Sequence, residues 1–200
     1  MNKKPYSSAI KKTPYKYMIS KKVAKLMLDK LDRNEVFNEC FTNNYIELDS
    51  VDRRREVTNV IYERLLTLDD FLLNQFYNGD VATSKFILVY AIAKYDSLFF
   101  DFMFEIYREA LLGNKNYISL DDFDNFFVAK KEVDGIVAKW SNTTINDLSQ
   151  GYRNIIVESG LGKRVVKNLH VVKPLIHPEV EEHIMLIGDK EYLKAIMGVK

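Results

Sequence analysis

The stretch GYRNIIVESGLGKRVVKNLHVV, residues 151 to 172, changes periodicity halfway along, and that change decides the kind of fold the chain can adopt. In GYRNIIVESG, Tyr152, Ile155 and Ile156 share one helical face and Gly160 closes the run, which predicts a short amphipathic helix. KRVV and LHVV follow, two β-branched runs separated by Lys167 and Asn168. A two-residue gap containing an Asn, which tolerates positive φ, predicts a β-hairpin. Just upstream, SNTTINDLSQ offers Thr144 and Asp147 as a cap around a very short helix with Ile145 and Leu148 facing in. Helix, short helix, turn, helix and hairpin is the order of a winged helix-turn-helix unit.

That order assigns chemistry to particular side chains. Gln150, Arg153 and Asn154 would lie on the outer face of the recognition helix, and Arg and Asn can make bidentate contacts to guanine and adenine edges. Lys163, Arg164, Lys167 and Lys173 would meet phosphates and give a salt-dependent affinity for double-stranded DNA. The alternative is an α/β tail that packs on the preceding helices with its lysines solvated.

Other chemistries fit the same residues less well. GLGKR resembles a phosphate loop, but a Walker motif requires glycine where Val157 stands and Ser or Thr where Arg164 stands. His170, His177 and His183 could ligate a metal with Glu179 or Glu182, yet HPEVEEH has no recognised ligand spacing, so no metal or cofactor is expected. No serine, histidine and carboxylate grouping can be nominated, and an enzyme is not expected. Cys40, the single cysteine, sits at helical spacing beside Phe37 and Phe41 and reads as a core thiol.

Net charge is +1, but it is unevenly distributed. Residues 1 to 25 hold eight lysines and no acid, and residues 139 to 173 carry a net +4, which leaves −11 for the rest. Two basic ends on an acidic body mark polyanion contact. Lys11, Lys12, Lys16, Lys21, Arg53 and Arg54 are therefore candidates for secondary contacts, although Arg53 to Arg55 in a first helical turn oppose the helix dipole. Asp49 and Asp52 are their nearest acids, and the more economical reading of the triplet is a solvated, salt-bridged turn. The apolar run FILVYAIA at 86 to 93 lies between Lys85 and Lys94 and is too short to span a bilayer, so no membrane segment is expected. The N-terminus lacks the apolar core of a signal peptide, and with one cysteine the chain is expected in the cytoplasm.

Upstream, the pattern is helical, and the expected fold class is mainly α: a helical bundle with a C-terminal winged helix-turn-helix-like unit. Ser20 is read as a cap before Val23, Leu26, Met27 and Leu31, and Asp32 with Glu35 as a capping box. Ser50 opens a helix with Val57, Val60, Ile61, Leu65 and Leu68 inward, and Asp69 or Asp70 caps FLLNQFYNG. Helices over 82 to 94 and 96 to 112 are apolar nearly all round and belong at the centre of a bundle. Turn formers at 113 to 118 suggest a boundary, giving a basic flexible lead at 1–17, a bundle at 18–113 and the winged unit at 114–200. Ser119 with Asp122 caps a helix bearing Phe123, Phe126 and Phe127. Pro178 starts a final helical region ended by Gly188, with Tyr192, Leu193 and Ile196 expected to dock on the C-terminal unit.

With those residues assembled, the chain resembles the BrxA family of small proteins found in BREX bacteriophage-defence systems. The likeness rests on YMISKKVAKLMLDKL, on FILVYAIAKYDSLFFDFMFEIYREALLG, and on GYRNIIVESGLGKR followed by HPEVEEHIMLIGDKEYLKAIMG. The resemblance implies a non-enzymatic, mostly helical accessory protein, NusB-like in fold, that works with other defence-system subunits and binds DNA through helix-turn-helix-like parts. RNA is the alternative ligand under a NusB-type role, and a protein-interaction scaffold is the alternative class. The resemblance carries over no catalytic residues.

Overall fold

Helix α5, Val81–Tyr95, is the axis of the molecule, because every residue from Thr83 to Ala93 except Lys85 is buried. Such a helix has no outer face to give to water and must be surrounded. The computed structural model describes residues 5–113 and 115–199. Before α5 come α1 (Tyr17–Leu28), α2 (Arg33–Phe41), α3 (Val51–Leu65) and α4 (Asp70–Asn78). After it, α6 (Ser97–Phe102) runs through a π-helical segment, Met103–Tyr107, into α7 (Arg108–Leu112). Strand β1 (Tyr117–Ile118), α8 (Leu120–Val133), α9 (Asn142–Ser159), β2 (Gly162–Val165), β3 (Asn168–Val171), α10 (Pro178–Leu186) and α11 (Lys190–Met197) complete the chain. The protein is mainly α-helical with a small antiparallel sheet. No helix among the described residues is long and apolar enough to cross a membrane.

The expected caps are in place. Asp32 and Glu35 form a reciprocal capping box at α2, and Ser119 and Asp122 do the same at α8. Ser50 accepts from the Arg53 amide and Asp69 from the Leu72 amide. Each such cap stabilises its helix by about 1 kcal/mol. Ser20 departs from its expected role, because α1 begins three residues earlier after Lys16 and the Ser20 hydroxyl donates to the Lys16 carbonyl from inside the helix.

Residues 5 to 16, expected to be flexible, are packed. Ile10, Thr13 and Tyr15 have no exposed surface. Arg64, itself fully buried, donates to the carbonyls of Pro14 (2.9 Å) and Thr13 (2.6 Å), and Tyr6 donates to Asp101. Burial pulls the Arg64 guanidinium down to about 10, while the nearby Asp96 charge opposes that shift. An apolar Ile and two Tyr among the lysines explain why this basic segment folds inward.

The sequence around 142 to 159 differs from expectation in a way that matters for function. The two short helices predicted there are one continuous 18-residue helix, α9. Gly151 interrupts nothing; a Cβ at that position would come within 2.9 Å of the Ile10 side chain, so glycine admits the N-terminal segment against the helix. Helices α8 and α9 are joined by a short 3-10 turn at Val137–Lys139. Tyr152 on α9 stands among Phe99, Phe102 and Phe127, with ring centroids 5.1, 5.1 and 5.8 Å away. One continuous core therefore runs from Ile10 to Met197.

The hairpin forms, with strand order β1-β3-β2 and both pairings antiparallel. Its turn lies one residue earlier than predicted: Val165 pairs with Asn168, leaving Val166 and Lys167 as the loop. The positive φ falls on Val166 (56°) in place of Asn168. Helix α11 also departs from expectation. It docks on α5, α7 and the π segment, where Tyr192 packs against Tyr90 and Phe100 at 5.5 and 4.8 Å. Asp189 reinforces that site by accepting from Lys94 at 2.6 Å, since the C-terminal unit offers no comparable aromatic socket.

Candidate nucleic-acid interface

The hairpin folds back along α9 because Gly160 takes a left-handed φ of 85° and turns the chain sharply. Gly162 then sits so close to Ile156 and to the His170 carbonyl that a Cβ would approach each to 2.8 Å. Leu169, fully buried, pins β3 to the core. Tyr107, aimed by the π segment, donates to the Val172 carbonyl at 2.8 Å and lies 2.9 Å from that of Leu161, so one hydroxyl holds both ends of the hairpin. Burial pushes that phenol well above its usual range.

Five of the seven predicted residues meet on this surface. Gln150 donates to the Asn154 side-chain oxygen at 2.7 Å, and Arg164 donates to the same oxygen at 2.6 Å. Arg153 reaches the hairpin loop, donating to the Lys167 carbonyl at 3.2 Å, with its guanidinium 5.9 Å from the Phe123 ring centre. Burial, and then the neighbouring Arg164, lower the Arg153 pKa from the ordinary guanidinium range. Lys163 lies on the opposite face of β2 beside His170, and Lys173 follows β3, both exposed. Among the described residues, no carboxylate pairs with Arg153, Lys163, Arg164, Lys167 or Lys173. Unneutralised cations so near one another are tolerated because solvent screens them, and they favour an anionic ligand.

The geometry also redistributes roles. The Asn154 oxygen is already occupied twice, so a bidentate contact to adenine through Asn154 would first have to break those bonds. By contrast, Thr143, Asn146 and Gln150 are spaced along one face of α9, with Thr143, Asn146 and Gln150 all exposed. Thr143 and Asn146 were missed because 141 to 150 was read as a separate element. The apolar series Ile145, Leu148, Tyr152, Ile155, Ile156 was the available signal, since it keeps one helical phase straight through Gly151.

The predicted N-terminal contacts sit differently. Lys21 donates to the Phe76 and Tyr77 carbonyls, both at 2.7 Å, closing the end of α4. Arg53 pairs with Glu56 and donates to the Lys12 carbonyl, and Lys12 pairs with Glu56 at 3.1 Å. Arg54 donates to the carbonyls of Phe41 and Asp49. The arginine partners are thus backbone carbonyls and Glu56, not the Asp49 and Asp52 carboxylates favoured by sequence proximity. Lys11 lies on the turn packed against α9, and Lys16 precedes α1 with a left-handed φ of 55°. Among the described residues, no group of three or more His, Cys, Asp or Glu is placed to hold a metal.

Comparison with known proteins agrees with this architecture. A crystal structure of an uncharacterized protein from Magnetospirillum magneticum superposes with a TM-score of 0.85 at 18% identity, covering 98% of this chain and 100% of that one, which establishes the shared fold. The BREX protein BrxA of Bacillus cereus (strain H3081.97) is 33% identical over 193 residues, 96% of each chain. A family model described as BrxA matches residues 4–188. By the extent of that match and the identity over nearly its full length, the chain belongs to the BrxA family.

Proposed function

We propose that this chain is a non-enzymatic accessory protein of a BREX bacteriophage-defence system, working in the cytoplasm with other defence subunits and binding duplex DNA through α9 and the β2–β3 hairpin. The observation that carries the reading is the convergence of α9's Gln150, Arg153 and Asn154 with the hairpin's Arg164 and Lys167 on one surface free of paired carboxylates. Supporting it, the order α7, β1, α8, α9, β2, β3 with β3 central in the sheet is that of a winged helix-turn-helix. In that arrangement α9 lies in the major groove and the hairpin follows phosphates.

The test is a duplex gel-shift titration at several salt concentrations. Wild-type affinity should fall steeply with salt. The triple variant R153Q/K163Q/R164Q should bind on the order of 10- to 100-fold more weakly, with a log–log salt slope shallower by about 2–3, since each lost phosphate contact removes about 0.9. Unchanged binding by the triple variant would sink the assignment of the surface. A matched single-stranded or looped RNA that outcompetes duplex at equal salt would instead support an RNA-binding role.

A second reading, a docking subunit for other defence proteins, is favoured by the exposure of Leu175 (85%) and Leu186 (84%), with Met185 and Ile187 nearby in sequence. Co-purification that survives R153Q/K163Q/R164Q but is lost with Leu175→Ser and Leu186→Ser separates it from nucleic-acid binding.

A further inference from the structure

The tip of the hairpin holds a residue that its own backbone disfavours. A two-residue loop with positive φ at its first position only is the pattern of a type II′ turn, in which that position calls for glycine. This chain puts Val166 there at φ 56°, and a β-branched side chain in the left-handed region is a strained arrangement. The side chain gains nothing from packing, because Val166 is 95% exposed and the adjoining Val165 is 48% exposed. Neither folding nor solubility benefits from an apolar group held in that position.

Three further observations say what it would meet. The tip is flanked by Lys163, Arg164 and Lys167, so a polyanion is the complementary partner. It is held firmly, since Arg153 donates to the Lys167 carbonyl inside the loop and Arg164 is tied to Asn154. Those two contacts also place the tip beside the middle of α9. A helix seated in a major groove about 12 Å wide puts a hairpin alongside it over the bounding phosphates and the minor groove beyond.

Resting on the duplex-binding role proposed above, we propose that Val166 is an apolar wedge that enters the minor groove at a base step and bends the duplex, while Lys163, Arg164 and Lys167 hold the phosphates on either side. Apolar side chains partly unstack the step they enter, and flexible pyrimidine–purine steps give way most readily. Val166 therefore contributes to affinity and to a preference for deformable sequence without adding to the salt dependence, because it carries no charge.

The experiment compares wild type with Val166→Asn, Val166→Gly and Val166→Ile. Asn and Gly accept positive φ, so both variants should melt about 2–4 °C higher. Both should bind a duplex containing a central TA step several-fold more weakly, with an unchanged salt slope and a smaller bend measured by energy transfer between the duplex ends. Val166→Ile, which keeps an apolar group at the tip, should bind and bend as wild type does. Wild-type affinity and bend in Val166→Asn overturn the wedge while leaving the duplex-binding surface standing. A melting temperature that does not rise overturns the strain argument, and a wild-type chain that binds no duplex at low salt overturns both proposals.

Discussion

The two basic ends of this chain look alike in the sequence and differ in the folded molecule. At the N-terminal end, Lys12, Lys21, Lys22 and Lys25 all find internal partners: Glu56, the last carbonyls of α4, Glu47 and Asp29. Arg53 and Arg54 point at carbonyls. At the C-terminal end, Lys163, Arg164, Lys167 and Lys173 are exposed, and no described carboxylate pairs with them. The difference teaches that a local charge excess identifies a binding surface only when the fold leaves it unneutralised. Eight lysines on a segment threaded through an acidic body hold that segment down, whereas four cations on a hairpin are left for a ligand.

The strongest way to break the comparison is at Arg64, the cation that fastens the N-terminal segment most deeply. Arg64→Met should lower unfolding free energy by about 3–5 kcal/mol in urea titration, because it leaves the buried Asp96 uncompensated and two carbonyls without donors. A loss below about 1 kcal/mol would mean the segment is held by its apolar residues alone. The comparison is sharpened by removing equal charge from each end. K12Q/K22Q/K25Q should leave the salt slope of duplex binding unchanged, whereas R153Q/K163Q/R164Q should reduce it by about 2–3; equal reductions would erase the distinction. The smallest effect is expected at the point where the two ends touch. Gly151→Ala gains about 1 kcal/mol of helix propensity but forces the buried Ile10 to move, at a cost of about 1–3 kcal/mol. A net destabilisation of about 1 kcal/mol, partly recovered by Ile10→Val, should appear in the urea midpoint.

Much of the fold was legible because its signals are local. The capping boxes at Asp32 and Ser119, the Ser50 and Asp69 caps, the all-round apolarity of α5 and the β-branched runs of the hairpin each need only a few neighbouring residues to read. What could not be read depends on contacts far along the chain. Gly151 looks like a helix breaker until Ile10 is seen to pack against it. Arg64 sits in a helix like any solvated arginine, and only the Thr13 and Pro14 carbonyls reveal it as buried. Strand β1 is two residues long and has no periodicity to detect. At the candidate site the residue types were legible and their arrangement was not. Asn154 was assigned to the ligand, yet its oxygen is held by Gln150 and Arg164, and the left-handed turn position fell on Val166 in place of Asn168.

The π segment at Met103–Tyr107 carries a consequence for how this chain can vary through descent. Loss of a single residue from it would restore an uninterrupted α-helix, which is locally harmless. Yet it would swing every following residue of that helix by about 100° about the axis. Tyr107 would no longer face the carbonyls of Leu161 and Val172, and the hairpin would lose the hydroxyl that holds both its ends. Length here is thus a constraint in its own right: lineages can exchange side chains around Tyr107 more freely than they can lose a codon beside it.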